Sequence, residues 1–291
     1  MLDLGVPGVL LCLCLSAGVW QAWSLSAPPP SLRSTSSPDF DTIAFTPSDK
    51  SNLAWYPVTG TSTSTGRDYV GHMATFEPSF FSFEPPVPEG CTVYIKPSTS
   101  SQGKCEYATN GGFFSWDKLQ PCKCEGNLVT NGHAFVLEGM ARANYGITAD
   151  NQLVAGFIDD ESFNHLNFTH LMSGYGWLVR HGATYVDSSG DLDVTSNFVT
   201  EKAPRTTVGH FSNGTMFLFE VDGEEDIDYG PDLYEMAELL VELGVDSAVN
   251  IDGGGSSVSV YDGEVISEPT CDDTSTICER RVQSFTCVAK Y

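Results

Sequence analysis

The sequence contains few positive charges. Only 14 of its 291 residues are lysine or arginine, whereas 38 are aspartate or glutamate, so the formal net charge is −24. A chain this acidic repels phosphate backbones and anionic membrane surfaces, which disfavours nucleic-acid binding and attachment to such membranes. Hydrophobic residues nevertheless make up 41% of the chain, which is typical of a folded protein and excludes a largely disordered one.

Long hydrophobic runs are also missing. Residues 8–20 form an apolar stretch of about 13 residues, which suits the core of a signal peptide and is shorter than the ~20 residues that span a bilayer. We therefore predict a signal peptide over residues 1–24 and no membrane span in the mature chain, which places the protein in the secretory pathway. One feature is atypical, because Asp3 precedes the stretch and no lysine or arginine does; a membrane anchor is the alternative.

Paired C-x2-C motifs are absent, so the cysteines do not indicate a zinc site. Seven cysteines follow the predicted signal peptide: Cys91, Cys105, Cys122, Cys124, Cys271, Cys278 and Cys287. In an oxidising compartment they predict three disulfides and one unpaired thiol. Cys271 and Cys278 enclose a short polar segment and are expected to pair locally. Sequons at Asn167 and Asn213 predict N-glycosylation.

Composition divides the rest of the chain into two parts. Residues 25–68 are rich in serine, threonine and proline, which predicts a flexible or O-glycosylated lead-in with a short ordered piece at Ile43–Tyr56; a loop-rich domain start is the alternative. From residue 69 to 291, short apolar runs alternate with turn signals and predict many short strands. Helices are predicted over Pro231–Leu243 and, from a weaker pattern, Ser162–Met172. The predicted fold class is α+β, a single sheet-rich domain with helices packed against a mixed sheet.

The most informative motif is Asp252-Gly-Gly-Gly, which directly follows the predicted strand Ala248–Ile251. Consecutive glycines carry no side chains and allow positive φ, so a ligand can approach the backbone with the Asp252 carboxylate beside it. The segment is not a P-loop, because no Gly-Lys-Ser/Thr follows, and not a nucleophile elbow, because Gly-x-Ser-x-Gly is absent. We interpret it as a ligand site; a strained hairpin turn is the alternative.

Three further segments place polar residues next to glycines or at strand ends. Asn110 precedes two glycines and offers both a donor and an acceptor, and Ser173-Gly174 precedes an apolar strand. Arg205 opens a predicted strand, and an arginine suits bidentate capture of a phosphate or carboxylate; an ion pair with one of the many acids is the alternative. His210 ends the same strand and could relay a proton near neutral pH, or be a buried core histidine.

Residues 222–228 contain five acids in seven positions. Calcium favours such clusters of oxygen ligands. The spacing of an EF-hand loop is missing, however, and the whole chain is acidic. We therefore predict a solvated acidic loop, and we predict no metal and no cofactor.

Several motifs follow one another along the chain: NGGFF at 110–114, APRTTVGH at 203–210, Asp222-Gly223, LYEMAELL at 233–240 and NIDGGGSS at 250–257. Over about residues 70–288 the sequence closely resembles the phosphodiester glycosidase family. The resemblance implies a hydrolase that removes N-acetylglucosamine (GlcNAc) from GlcNAc-1-phospho-6-mannose diesters on the N-glycans of lysosomal enzymes, exposing mannose 6-phosphate. Its partners would be phosphorylated high-mannose N-glycans. Its location would be the Golgi lumen or, after secretion, the outside of the cell.

The resemblance also implies the cysteine pairs Cys91–Cys124 and Cys105–Cys287 beside the local pair, which leaves Cys122 unpaired.

Roles for the site residues follow from the same resemblance and from the chemistry. Cleavage at the sugar side of the diester passes through an oxocarbenium-like state. The Asp252 carboxylate would either stabilise this positive charge or activate the attacking water. Arg205 would bind the phosphate. His210 or Asp222 is the candidate for the second proton-transfer group. The remaining predicted contacts to sugar or phosphate are Asn110, Asn250, Gly253, Gly254, Ser256, Ser173 and Gly174. Glu235 is assigned to the capping box of the predicted helix instead.

Two other functions fit the same residues. The first is a secreted glycosidase of the same fold that acts on other sugar phosphodiesters or on surface polysaccharides. The second is a glycan-binding module without catalysis, against which the presence of Asp252, Arg205 and Asn110 argues. Assaying release of GlcNAc separates the three.

Overall fold

The computed structural model describes residues 10–11, 39–115, 123–138 and 142–290. The strands among these residues are, in chain order, β1 Leu10–Leu11, β2 Phe40–Ala44, β3 Ala54–Thr61, β4 Asp68–Phe76, β5 Phe81–Glu84, β6 Val93–Tyr94, β7 Cys105–Asn110, β8 Leu128–Thr130, β9 His133–Val136, β10 Ala143–Thr148, β11 Gln152–Phe157, β12 Phe168–Ser173, β13 Trp177–Arg180, β14 Ala183–Thr184, β15 Arg205–His210, β16 Met216–Val221, β17 Ser247–Asn250, β18 Ser259–Tyr261, β19 Glu264–Val265 and β20 Phe285–Ala289. The helices are α1 Pro97–Ser101, α2 Asp160–Leu166, α3 Asn197–Thr200 and α4 Leu233–Glu242.

The strands form three large sheets and one small one. Their orders are β2-β11-β10-β12-β8-β9, β14-β13-β17-β15-β16-β4-β3, β19-β18-β7-β20-β5 and the pair β1-β6. The prediction of a sheet-rich α+β domain is confirmed. The predicted mixed sheet is wrong, because every strand pairing among the described residues is antiparallel. Tight turns such as Asn213-Gly214 return the chain directly to its neighbour, whereas a parallel pair needs a long crossover.

The central hairpin of the seven-stranded sheet joins β15 to β16. Arg205 lies opposite Val221 and His210 opposite Met216, and all residues of both strands are buried. Burial on both faces explains why β16 is nearly continuous in apolar residues rather than alternating.

Helix α4 begins and ends close to the prediction. Asp232 accepts a hydrogen bond from the Glu235 backbone N–H, and the Glu235 side chain returns one to the Asp232 N–H, so the predicted capping box is confirmed. Its buried face, with Met236 and Leu240, packs on the seven-stranded sheet. The second predicted helix is only partly present, because α2 ends at a left-handed Asn167 and the chain continues as β12.

Within the predicted lead-in, β2 and β3 overlap the ordered piece expected at Ile43–Tyr56 and favour the alternative of a domain start. Strand β2 pairs with β11, and β3 pairs along its whole length with β4, so residues 40–68 belong to the folded domain that was expected to start at residue 69. Threonine-rich composition suited a flexible linker, but threonine is also favoured in strands because of its branched β-carbon. Residues 12–38, and with them most of the predicted signal peptide, lie outside the described residues. Among the described helices, none combines the length and apolarity needed to span a bilayer.

All three predicted disulfides are confirmed: Cys91–Cys124, Cys105–Cys287 and Cys271–Cys278. Cys122, the predicted unpaired thiol, lies outside the described residues. The sequon residues Asn167 and Asn213 are both exposed.

Candidate functional site

The Asp252-Gly-Gly-Gly loop leaves β17 and is held from two sheets. The Asp252 N–H donates to the Gly111 carbonyl at 3.1 Å, just after β7 of the five-stranded sheet. The Gly254 N–H donates to the Pro204 carbonyl at 2.8 Å, just before β15 of the seven-stranded sheet. The loop therefore lies where the ends of β7, β15 and β17 converge, as a ligand site would.

The amide of Asn110 fixes this loop. Its Nδ2 donates to the Asp252 carbonyl at 2.5 Å, and its Oδ1 accepts from Thr206 Oγ1 at 2.9 Å and from the Val258 N–H at 3.3 Å. Asn110 is also fully buried. We had expected Asn110 to hold a sugar or phosphate oxygen; in the structure it is a positioning residue for Asp252.

The loop also uses its own backbone donors internally. The Gly253 N–H donates to Asp252 Oδ1 at 3.0 Å, and the Gly255 N–H donates to Asp273 Oδ1 at 2.8 Å. With the Gly254 N–H bound to Pro204, the expected backbone contacts from the glycines to a ligand are not available in this arrangement. Positive charge for a bound phosphate must come from side chains.

Glycine is required here by close neighbours. Gly254 has a φ of +56°, and a β-carbon at this position would collide with Glu225 Oε1. A β-carbon at Gly255 would collide with the guanidinium of Arg280. The absent side chains therefore bring one carboxylate and one guanidinium against the backbone that follows Asp252.

The carboxyl of Asp252 has an unusual protonation equilibrium. Burial raises its pKa to about 7, although hydrogen bonds from Ser256 and the Gly253 N–H and the charge of Arg280 favour the ionised form. A carboxyl that is half ionised near neutral pH can either accept or donate a proton during a reaction.

Glu225 is a second carboxyl of this kind. It opens a 3-10 turn in the acidic run and is half-buried. Burial and the nearby carboxylates of Asp273 and Glu201 raise its pKa to about 7. Two neighbouring carboxyls with raised pKa values are a common arrangement for acid–base chemistry. The sequence singled out the acidic run but gave no reason to prefer Glu225 within it.

Arg280 lies beside the glycine loop, but the sequence analysis did not identify it as a candidate site residue. Its guanidinium pairs with the Asp273 carboxylate at 2.7 Å, donates to the Cys271 carbonyl at 2.7 Å and approaches Ser256 Oγ at 3.5 Å. The Cys271–Cys278 disulfide closes the short loop that carries these partners. Because the chain has only 14 basic residues, each arginine is a candidate partner for a phosphate, and this signal could have found Arg280.

Arg205 lies on the other side of the loop, with its side chain fully buried near Gly253. Its Nη2 donates to the carbonyls of Phe198 and Glu201, both at 3.0 Å, and its guanidinium stacks over the Phe198 ring at 5.2 Å. These contacts attach α3 to the site. Arg205 is therefore a structural part of the site wall as well as a source of positive charge.

Comparison with known proteins adds the family. The protein-family model for phosphodiester glycosidases matches residues 103–289. The chain belongs to the phosphodiester glycosidase family. It is 34% identical to human N-acetylglucosamine-1-phosphodiester alpha-N-acetylglucosaminidase over 241 residues, which are 76% of this chain and 46% of the human protein. The mouse protein of the same name is 33% identical over 242 residues, covering 77% and 46%. The chain thus spans about half the length of these relatives.

A solved structure agrees in fold. The zebrafish N-acetylglucosamine-1-phosphodiester alpha-N-acetylglucosaminidase catalytic domain, auto-inhibited by its pro-peptide, superposes with a TM-score of 0.77 at 29% identity. The alignment covers 87% of this chain and 89% of that one. The sheet arrangement described above is therefore that of a phosphodiester glycosidase.

In this phosphodiester glycosidase, His210 lies away from the loop. Strand β15 separates it from Arg205 by roughly 17 Å at ~3.4 Å per residue. Its Nδ1 lies 3.0 Å from the Tyr145 hydroxyl, and burial lowers its pKa to about 4. The structure supports the alternative of a core histidine and does not place His210 among the proton-transfer groups.

Asp222 also faces elsewhere. Its Oδ1 accepts from the Glu268 N–H at 2.8 Å, and it shares a buried cluster with His72 and Glu220. Burial raises the pKa of Asp222. It lines a cavity of about 70 Å³ together with Tyr229 and Glu268. These contacts do not bring the Asp222 carboxyl to the Asp252 loop, whereas Glu225, three residues later, lies against Gly254.

Asn250, Ser173 and Gly174, which we had expected to contact sugar or phosphate, are all buried. Asn250 Nδ2 donates to the Tyr175 carbonyl at 3.1 Å, whereas its buried Oδ1 has no hydrogen-bond partner. Ser173 Oγ donates to Asn144 Oδ1 at 2.7 Å. A β-carbon at Gly174 would collide with the Asn250 carbonyl, so glycine is needed for β17 to pass this close.

Proposed function

We propose that this protein hydrolyses α-linked GlcNAc phosphodiesters and releases free GlcNAc. The observation that carries the proposal is the position of two carboxyls at one glycine loop: Asp252 opens the loop and Glu225 lies against Gly254, with Arg280 against Gly255. Both carboxyls have pKa values raised to about 7. The family and the name of the human and mouse relatives support the same reaction.

The reaction breaks the bond between the anomeric carbon and the phosphate oxygen. Ionised Asp252 stabilises the oxocarbenium-like charge, or takes the proton of the attacking water, while protonated Glu225 donates to the departing phosphate oxygen. Water supplies the new hydroxyl on GlcNAc, and the second sugar retains the phosphate as a monoester. Arg280 supplies positive charge for that phosphate.

We propose as the natural substrate the GlcNAc-1-phospho-6-mannose diesters of high-mannose N-glycans on lysosomal enzymes, whose hydrolysis exposes mannose 6-phosphate. The disulfides support an oxidising compartment, in accordance with the proposed signal peptide and a Golgi or secreted location.

The test uses the purified protein and a synthetic GlcNAc-α-phospho-6-mannoside, with an aryl α-GlcNAc glycoside as the phosphate-free control. We expect release of GlcNAc and of mannose 6-phosphate from the diester, and much slower release from the glycoside. Absence of release from the diester refutes the proposed reaction.

A matched pair of variants tests the role of Arg280. Arg280→Gln should lower kcat/KM for the diester about tenfold or more, because a charge-assisted contact to phosphate is worth ~1.5–3 kcal/mol. Arg281→Gln, at the next position, is the control and should retain wild-type activity. Equal losses in the two variants would remove Arg280 from phosphate binding.

A further inference from the structure

Three half-buried aromatic side chains contact one another: Phe113, Tyr175 and Phe198. Their ring centroids lie 6.2 Å apart for Phe113 and Tyr175, 6.0 Å for Phe113 and Phe198, and 5.1 Å for Tyr175 and Phe198. Each pair is edge-to-face, the arrangement that aromatic rings prefer. The contacts of Asp252, Glu225 and Arg280 do not account for this cluster of rings.

Each ring is attached to a different side of the site. Phe113 lies two residues after Gly111, whose carbonyl accepts from the Asp252 N–H. Tyr175 exchanges two hydrogen bonds with Asn250: its N–H donates to the Asn250 carbonyl at 2.8 Å, and its carbonyl accepts from the Asn250 side chain.

Phe198 is attached through Arg205, which donates to the Phe198 carbonyl and stacks over its ring. The segments that carry the three rings are therefore attached at the Asp252 end of the loop, whereas Glu225 and Arg280 lie against Gly254 and Gly255.

Charged groups at the edge of the ring cluster point to the same position. The Arg142 guanidinium lies over the Tyr175 ring at 5.6 Å and pairs with Glu125 at 2.9 Å. The Glu125 N–H donates to the Phe113 carbonyl at 2.8 Å, and the Glu125 charge acts on the Asp252 carboxyl. The cluster is thus within electrostatic reach of the group to which we assign the reaction.

We propose that Phe113, Tyr175 and Phe198 form the wall that holds the apolar C–H face of the hexopyranose being released, with its anomeric carbon at Asp252. This inference rests on the proposed function and adds to it the subsite for the GlcNAc ring. Sugar rings present C–H faces, and aromatic side chains supply apolar area at a low cost in conformational entropy. The phosphate then lies toward Arg280, so the two halves of the substrate contact different groups.

Two variants and one control test the wall. Phe113→Leu and Tyr175→Leu keep apolar volume and remove a ring, whereas Phe163→Leu removes a half-buried ring that stacks on Phe168 elsewhere. We expect KM for the diester to rise up to about tenfold in the first two, because an aromatic contact is worth ~0.5–1.5 kcal/mol, with kcat nearly unchanged. Phe163→Leu should keep the wild-type KM. Melting temperatures identify any variant that fails to fold.

Inhibition separates the sugar half from the phosphate half. Free GlcNAc should inhibit Phe113→Leu and Tyr175→Leu more weakly than wild type, while inhibition by mannose 6-phosphate should stay the same in all four proteins. If both inhibitors weaken equally, or neither weakens, the rings do not form a GlcNAc subsite and the proposal is wrong.

Direct titration of free GlcNAc, followed by saturation-transfer NMR, does not depend on turnover. A wild type that binds GlcNAc but releases none, with binding weakened in both ring variants, would refute the proposed reaction and support the wall. A wild type that does not bind GlcNAc, or ring variants that bind it as well as wild type, would overturn the wall whether or not the diester is cleaved.

Discussion

The fold shifts the pKa values of two carboxyl groups, Glu235 and Asp252, in opposite directions. Burial alone would raise the pKa of Glu235, but hydrogen bonds from Arg67 and Lys202 outweigh it and lower the pKa to about 2. Burial raises the pKa of Asp252 to about 7, and the opposing charge of Arg280, which is paired with Asp273, does not offset it.

The opposite pKa shifts follow from how the positive charges are distributed in a chain with only 14 basic residues. Two of them surround Glu235 at the start of α4, where a fully neutralised carboxylate stabilises the fold. Asp252 and Glu225 share too few cations and keep protons near neutral pH. A carboxylate with complete partners acts structurally, whereas an incompletely neutralised one is available for chemistry.

The largest expected effect distinguishes two of the three disulfides, one that frames the fold and one that lies beside Arg280. Cys105–Cys287 closes a separation of 182 residues and joins β7 to β20, whereas Cys271–Cys278 closes only 7. The chain-entropy relation gives about 5 kcal/mol for the long loop and about 2 kcal/mol for the short one. Replacing both cysteines of the long pair by serine should therefore destabilise the fold far more, as denaturant unfolding measures.

Replacing the short pair, Cys271 and Cys278, by serine should lower activity on the diester more than it lowers stability. Its loop carries the carbonyl and carboxylate that hold Arg280. Equal losses of stability for the two double variants would contradict this division between frame and site.

Asp252→Asn should abolish most activity without unfolding the protein. Removing a charge that stabilises the transition state costs about 100-fold or more in kcat. The melting temperature should stay close to that of wild type, since a neutral amide of the same shape suits the half-buried position. Asp272→Asn, an exposed acid nearby, is the control for kcat on the diester. Wild-type turnover in Asp252→Asn would remove Asp252 from the reaction.

Glu235→Gln should give the opposite result. Loss of the carboxylate leaves Arg67 and Lys202 without their shared partner, which should cost about 2 kcal/mol of folding free energy. The kcat of the folded protein should remain within about twofold of wild type. Urea unfolding and diester assays on the same preparation measure both. A large fall in kcat at unchanged stability would mean that Glu235 belongs to the site.

The smallest expected effect is a contrast in pH dependence. Glu225 keeps its proton up to about pH 7 when folded but only to its ordinary value of 4.5 when unfolded, so raising the pH between those values destabilises the fold. The melting temperature of Glu225→Gln relative to wild type should therefore increase from pH 5 to pH 8. A constant difference would show that the carboxyl of Glu225 titrates normally.

Glu235 has the reverse dependence. Its lowered pKa contributes stability above about pH 4.5, which is lost as the pH falls through about 2. The deficit of Glu235→Gln should be fully present at pH 7 and shrink in acid, as melting temperatures across that range would show.

Local signals predicted much of the fold. A proline followed by Asp232 and Glu235 marked the start of α4, and the turn at Asn213-Gly214 marked the β15–β16 hairpin. Both depend on residues within a few positions of one another, so no tertiary information was needed. Strand geometry also predicts that Arg205 and His210 lie at opposite ends of β15, roughly 17 Å apart. Our expectation that both residues contribute to one site did not take this distance into account.

From the residue order alone we could predict that Asp252 precedes three glycines at the end of a strand, and that Cys271 pairs with Cys278. Which side chains surround that loop depends on how the sheets pack. Glu225 and Arg280 come from segments on either side of it in sequence, and Asn110 is committed to the loop because Thr206 and Val258 meet it there. Protonation depends on burial and on neighbouring charges in space. The pKa values near 7 that distinguish the proposed catalytic carboxyls therefore follow from sheet packing and not from the order of residues.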